Sequence, residues 1–223
     1  MNDPKKLRAV FNNASFLDDD FRDSLNNHFE RSLGDTSSKL QNFARYVPRQ
    51  SLTRFLVKYE LFKKVLNTQG SIFEVGVLAG GSLFSWAQCS AIFEHLNYQR
   101  KIVGFDVFGK QVTPNDDDRR GNSMEQYFSD EMMLDSQKDI EESIALFDRN
   151  RFLGDEQKIF LVDGLAEETI PEYLEQNPET VISLLYLDVN LYEPTKAALQ
   201  HCLPRMPKGS LIVFDELNDR GMR

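Results

Sequence analysis

The sequence predicts an α/β protein built on a doubly wound, mostly parallel sheet, and three observations carry that prediction. Five short apolar runs recur along the chain, and each reads as a strand buried on both faces. Helix-length segments separate them, the alternation that builds parallel sheets. An acid stands at or beside the carboxyl end of every run: Glu74, Asp106, Asp163, Asp188 and Asp215. Ligands of open α/β sheets bind beyond the carboxyl ends of the strands, so this set marks one functional edge. Capping of the following helix accounts for a single acid there, but not for five that repel one another.

Residues 1–50 are the least regular. Amphipathic stretches at Lys5–Phe11 and Phe16–Leu33 are divided by Asn, Asp and Ser, which predicts an N-terminal helical segment or lid. From Ser51 the pattern sharpens: Leu52, Phe55, Leu56, Tyr59, Phe62 and Leu66 recur at helical spacing, with Lys58, Lys63 and Lys64 placed on the other face. Ser51 is the expected N-cap, and Gly70 falls past the end. Strands are predicted at Ser71–Val75, Lys101–Phe105, Lys158–Val162, Ser183–Leu187 and Ser210–Phe214. Helices are predicted at Ser82–Leu96, Ser136–Asn150, Ala166–Gln176 and Pro194–Leu203. Gln111–Asn122, with its Asp116–Asp118 run before Arg119 and Arg120, reads as a surface loop or insertion. The expected division is 1–50 as the helical segment and 51–223 as the sheet domain.

Of 223 residues, 41% are apolar and 27% charged, which fits a packed core and not a disordered chain. The net charge of −9 argues against nucleic acid, whose backbone calls for a basic face. No apolar run approaches the roughly 18–20 residues that span a bilayer, so no membrane partner is expected. The polar start, Met1 to Lys6, lacks the apolar stretch of a signal peptide. Cys89 and Cys202 lie far apart and form no CxxC pair, which argues against a disulfide framework or structural zinc. The expected location is cytoplasmic.

The richest local signal is Phe73-Glu74-Val75-Gly76-Val77-Leu78-Ala79-Gly80-Gly81-Ser82. Glycines between a strand and a helix let backbone approach a ligand and aim helix N–H groups at it. The spacing is not the Gly-x-Gly-x-x-Gly of dinucleotide sites, and no Gly-Lys-Ser/Thr follows. An acid two residues before Gly76 would repel a pyrophosphate. It suits a ligand with a cationic polar end, such as the sulfonium and amino-acid group of S-adenosylmethionine. Asp106, 32 residues after Glu74, is placed to accept both ribose hydroxyls. Asp163 and Gly164, after the third strand, can reach the adenine amino group.

Glu-Val-Gly-Val-x-x-Gly-Gly-Ser, Gly-Phe-Asp, Leu-Tyr-Leu-Asp-x-x-Leu-Tyr-Glu-Pro-Thr, Pro-Arg-Met-Pro-Lys-Gly and Phe-Asp-Glu-Leu-Asn together resemble the macrocin-type sugar O-methyltransferases. The resemblance runs from about Tyr46 to Asn218. It implies a class I S-adenosylmethionine-dependent enzyme acting on a sugar or sugar-nucleotide hydroxyl, with sheet order 3-2-1-4-5. Glu74, Gly76, Gly80, Gly81, Ser82, Asp106, Asp163 and Gly164 are the expected cofactor residues. The resemblance also implies a reversed hairpin after the fifth strand, whereas nine residues follow Phe214. The fifth strand is therefore expected to be an apolar edge, covered by residues 1–50 or paired in a homodimer, unless the chain is a shortened version of a longer enzyme.

Asp188, Asp215 and Glu216 end the fourth and fifth strands. An oxygen-only donor set suits a hard cation such as Mg²⁺, and His28, His95 and His201 are scattered, which disfavours zinc. The resemblance is consistent, since that family uses a divalent metal to hold substrate oxygens. Asp188 is the expected base as well as a ligand. Asn190 stands where the family carries Asp, and an amide cannot take a proton at neutral pH. Val107-Phe108-Gly109-Lys110 likewise departs from the family pattern. Trp86 and Phe84 are expected in the core, His201 and Cys202 on a packed helix. Arg45, Arg49 and Arg54 form either a phosphate clamp or a solvated face. Two rival readings remain at this stage: a protein that binds the cofactor without turnover, favoured by Asn190, and an NAD-type oxidoreductase, opposed by the glycine spacing.

Overall fold

In the computed structural model, the structure describes residues 19–110, 112 and 134–215. Asp116–Asp118, Arg119, Arg120, the Lys5–Phe11 stretch and Glu216 lie outside them. The described elements are α1 (Asp19–Arg31), α2 (Thr36–Gln41), α3 (Arg49–Val65), β1 (Ser71–Val75), α4 (Gly81–Phe93), β2 (Ile102–Asp106), α5 (Gln137–Asp148), β3 (Ile159–Asp163), α6 (Ala166–Gln176), β4 (Ile182–Leu187), α7 (Tyr192–Cys202) and β5 (Leu211–Phe214). The five strands form one sheet in the order β3-β2-β1-β4-β5, and every pairing is parallel. The order reverses between β1 and β4, which opens a crevice at their carboxyl ends.

Each strand lies within a residue of its expected span, because a run buried on both faces leaves little choice of register. β1 and β4 are buried throughout. Alternate residues feed two cores. Ile72, Leu184 and Tyr186 pack with Phe62 and Val65 of α3, Leu83 and Trp86 of α4, and Ile140 and Phe147 of α5. Phe73, Val75, Phe105 and Leu185 pack with Ile170 and Leu174 of α6 and Ala198 and Cys202 of α7. Cys89 and Cys202 are buried free thiols, and burial pushes Cys89 up to about 11.

The helix ends shift in ways local chemistry explains. α3 starts at Arg49 on a Pro48 N-cap rather than at Ser51, since proline presets an extended entry and lacks an N–H the helix would orphan. It therefore crosses the expected 50/51 boundary. α4 stops at Phe93, before Leu96. α7 begins at Tyr192, with Pro194 inside its first turn where a missing N–H costs nothing. One face assignment is corrected: Lys63 and Lys64 are exposed, but Lys58 is buried. It stands three residues after Phe55 and four before Phe62, on the apolar stripe. Among the described residues, no helix is long and apolar enough to cross a membrane.

Candidate active site

β1, β2 and β4 deliver their carboxyl ends to one cavity of about 260 Å³. Gly76, Asp106, Gly164, Leu165, Asp188 and Asn190 are among the residues that line it. Gly76 has φ +93, and a Cβ there would lie 2.1 Å from the Asp188 carbonyl oxygen. Only glycine lets these two turns meet. The Asp188 N–H donates to Val75 O at 2.9 Å, which completes the seam. Gly80 caps α4 at φ +80, whereas a Cβ on Gly81 would meet nothing within 4 Å. The amino end of α4 thus faces open space on that side.

Asp106 is a fastener within this end of the sheet. Its Oδ2 accepts from the Val77 and Leu78 N–H groups at 2.6 and 3.0 Å, and its Oδ1 from Phe108 N–H at 2.9 Å. The Gly164 N–H closes on the Asp106 carbonyl at 2.9 Å. Three of about four acceptor directions on the carboxylate are taken within the protein. Asp163 is paired at both oxygens by Lys110, at 2.7 Å each. Lys110 also lines the cavity, a role that sequence reasoning missed.

Glu74 and Ser82 lie on the other side of the β1 turn. Glu74 is fully buried; its Oε2 accepts from the Trp86 indole N–H at 2.8 Å. Its Oε1 and the Ser82 Oγ are buried with no hydrogen-bond partner beyond each other. Burial pushes the Glu74 carboxyl up to about 8; Asp188 adds to this, while Ser82, the Lys58 ammonium and Trp86 oppose it. Lys58 sits 4.9 Å over the Tyr186 ring, and Trp86 meets that ring edge-on at 5.7 Å. Trp86 is thus core, as expected, and also a polar partner. Neither Lys58 nor Tyr186 was legible as a site residue, because each looks like ordinary helix surface or strand core.

Leu187 pairs with Phe214, so Asp188 and Asp215 emerge side by side from β4 and β5. The Tyr186 hydroxyl donates to Asp215 Oδ1. Burial and the surrounding carboxylates raise the Tyr186 hydroxyl far above its ordinary range, so it remains a donor. Asn190 adopts φ +54, a left-handed conformation asparagine tolerates. Among the described residues, no group of three or more His, Cys, Asp or Glu is placed to hold a metal ion. Arg45, Arg49 and Arg54 are exposed, on and before the first turns of α3.

The family model of macrocin-O-methyltransferase (TylF) matches residues 49–222. Among solved structures, the chain is similar to CalS11, described as a calicheamicin methyltransferase: 32% identity, 98% of this chain and 84% of that chain covered, TM-score 0.82. The apo structure of CalS11, described as a TDP-rhamnose 3'-O-methyltransferase in calicheamicin biosynthesis, matches at 29% identity over 98% of this chain and 81% of that chain, TM-score 0.74. The O-methyltransferase NovP, at 19% identity over 73% of this chain and 64% of that chain, shares the fold with TM-score 0.57. A comparison with curated proteins finds no match.

Proposed function

Because the chain belongs to the macrocin-O-methyltransferase (TylF) family, we propose that it methylates a hydroxyl of a sugar, sugar nucleotide or glycosylated small molecule, using S-adenosylmethionine. S-adenosylmethionine is the cofactor of these methyltransferase families. The residues present fit it: a cavity of about 260 Å³ at the strand ends, an open helix amino end at Gly81, and two buried polar atoms, at Glu74 and Ser82, with no partner beyond each other. The observation that carries the reading is that one cavity runs from Asp106 to Asp188. Cofactor-side and acceptor-side carboxylates therefore share a single space.

When bound, the cofactor supplies a methyl group activated by its sulfonium charge. Gly76, Asp106 and Gly164 position its adenosine, with Asp163 at the rim; Glu74, Gly80, Gly81 and Ser82 receive its amino-acid end. Asp188 would take the proton of the acceptor hydroxyl as the new O–C bond forms and the methyl–sulfur bond breaks, leaving the neutral thioether, and Asp215, oriented by Tyr186, would hold the neighbouring substrate oxygen. Rate comes from alignment and from electrostatic stabilisation by the carboxylates at the strand ends. Mg²⁺ is part of the reading: Asp188 and Asp215, together with Glu216, would hold it and lower the pKa of a bound hydroxyl. The oxygen-only donors at adjacent strand ends support it.

The described helices before Arg49, α1 and α2, act as a lid segment, and the chain from α3 onward is the methyltransferase domain. The protein works in the cytoplasm with a small-molecule partner and neither nucleic acid nor membrane. The edge strand β5, with Ile212 and Phe214 exposed, supports a homodimer. The family match sets the oxidoreductase reading aside. A cofactor-binding protein without turnover is the second reading, favoured by Asn190 in the cavity wall.

Calorimetric titration with S-adenosylhomocysteine, with and without Mg²⁺, and methyl transfer from labelled S-adenosylmethionine to TDP-rhamnose test these readings. Micromolar binding and transfer are expected. Binding without transfer to any sugar acceptor supports the second reading, and absence of binding refutes both.

A further inference from the structure

We infer that Lys58 holds the carboxylate of the cofactor's amino-acid head group, beside the Ser82 hydroxyl, while Glu74 Oε1 receives its ammonium. This rests on the reading that the chain binds S-adenosylmethionine.

An α-amino acid head group is a zwitterion, so its seat must offer an acceptor and a cation within a few ångströms. Buried polar groups in folded proteins are almost always hydrogen-bonded, and exceptions point to a missing partner. Among the described residues the buried side-chain atoms with no partner beyond each other are Glu74 Oε1 and Ser82 Oγ, which flank the same glycine turn. Glu74 neighbours one cation. Lys58 is 8% exposed, and its ammonium acts electrostatically on Glu74. It rests on the Tyr186 ring face, and a ring face steadies an ammonium without consuming its directional N–H donors as a carboxylate would. The amino end of α4, beginning at Gly81 and Ser82, adds partial positive charge on the side where a carboxylate would sit.

The cluster also adjoins the cavity. Asp188 lines the cavity and acts on Glu74 electrostatically, and Gly76 lines it one residue beyond the β1 strand that carries Glu74. Adenosine on one side of the turn would leave its 5' extension directed to the cluster on the other. Lysine is unexpected on the stripe of α3 that packs against the sheet, because burying an ammonium is costly unless something compensates it. A ligand carboxylate is such compensation.

The test compares ligands before it compares variants. Calorimetry gives affinities for S-adenosylhomocysteine, its decarboxylated analogue, and 5'-methylthioadenosine, which lacks the whole head group. Fluorescence of Trp86, the single tryptophan of the chain, reports on the Glu74 side. The parent should bind S-adenosylhomocysteine at least about tenfold more tightly than the decarboxylated analogue, as loss of one charge-assisted hydrogen bond predicts. Lys58→Met should abolish that preference, leave 5'-methylthioadenosine affinity within about twofold, and be partly rescued by Lys58→Arg. Where the apolar variant does not fold, Lys58→Gln repeats the comparison.

If Lys58→Met keeps the preference, or weakens 5'-methylthioadenosine equally, the assignment is wrong. If the parent binds 5'-methylthioadenosine but not the carboxylate, the cofactor reading stands and this inference falls. If the parent binds none of the three, both fall.

Discussion

At the amino end of the sheet, Arg100 is 2% exposed and spends its guanidinium completely. Nε donates to Glu94 Oε1 at 2.5 Å, Nη1 to Gly70 O at 2.8 Å and Ser183 Oγ at 2.5 Å, and Nη2 to Val65 O and Thr68 O at 3.3 and 3.1 Å. At the carboxyl end, Glu74 is 0% exposed and one of its two oxygens has no partner beyond Ser82. Both ends bury a charge-bearing group, and only one satisfies it. The amino end is built for stability, fastening α3, β1 and β4 through one side chain. The carboxyl end tolerates a deficit that a ligand can fill.

The largest way to break this contrast is Arg100→Ala. It removes the charge partner of the largely buried Glu94 and the donor to four carbonyl or hydroxyl acceptors, for a loss of about 3–5 kcal/mol. A melting temperature lower by roughly 10 °C or more is expected, with S-adenosylhomocysteine affinity of the remaining folded protein unchanged. Equal damage to both would show that the two ends are not separate.

Next comes the pH dependence of Glu74. Its folded carboxyl stands at about 8 against an ordinary 4.5. The folded state therefore keeps a proton that the unfolded chain has released. Stability is full below about 4.5 and falls as pH rises to about 8, by roughly 1.4 kcal/mol per unit at most. Urea melts of Glu74→Gln should lack that slope. Saturating S-adenosylhomocysteine should flatten it in the parent, since a bound ammonium favours the charged carboxylate.

Gly76→Ala comes third. A methyl 2.1 Å from the Asp188 carbonyl oxygen, at φ +93, forces the seam open. Strain of about 1–3 kcal/mol is expected, with weaker binding of S-adenosylhomocysteine by calorimetry. The smallest effect belongs to Lys110→Met. Its ion pair with Asp163 is exposed, so stability should change by less than about 1 kcal/mol. Freeing both Asp163 oxygens should tighten S-adenosylhomocysteine; unchanged affinity would remove Asp163 from the adenine site.

The strands and their order were legible in the sequence because runs such as Ser183–Leu187 have no polar face to confuse their register. Asp106, Asp188 and Asp215 were legible as an acidic edge for the same reason: each is the first polar residue after an apolar strand. Their partners were not. That Asp106 would be occupied by Val77, Leu78 and Phe108 N–H groups depends on turn geometry, with Leu78 and Phe108 at φ +52 and +44, which residue types do not announce. Lys58 was hidden by its own chemistry, since its spacing belongs to the buried stripe and its charge to the surface. Arg100 sits in a short polar link, and only the fold brings Gly70 and Ser183 to it.

The seam between Gly76 and Asp188 bears on how such an enzyme can be re-engineered. Backbone from the two turns is in contact, with the Asp188 N–H on Val75 O and no room for a side chain between them. The loop that carries Asp188 is therefore not a module that can be exchanged alone. A transplant from β4 into α7 that alters the path of Asp188 displaces the glycine turn with it. Chimeras aimed at a new acceptor should exchange residues 73–82 and 185–194 as one unit, and those that divide the pair should lose cofactor affinity before they gain a substrate.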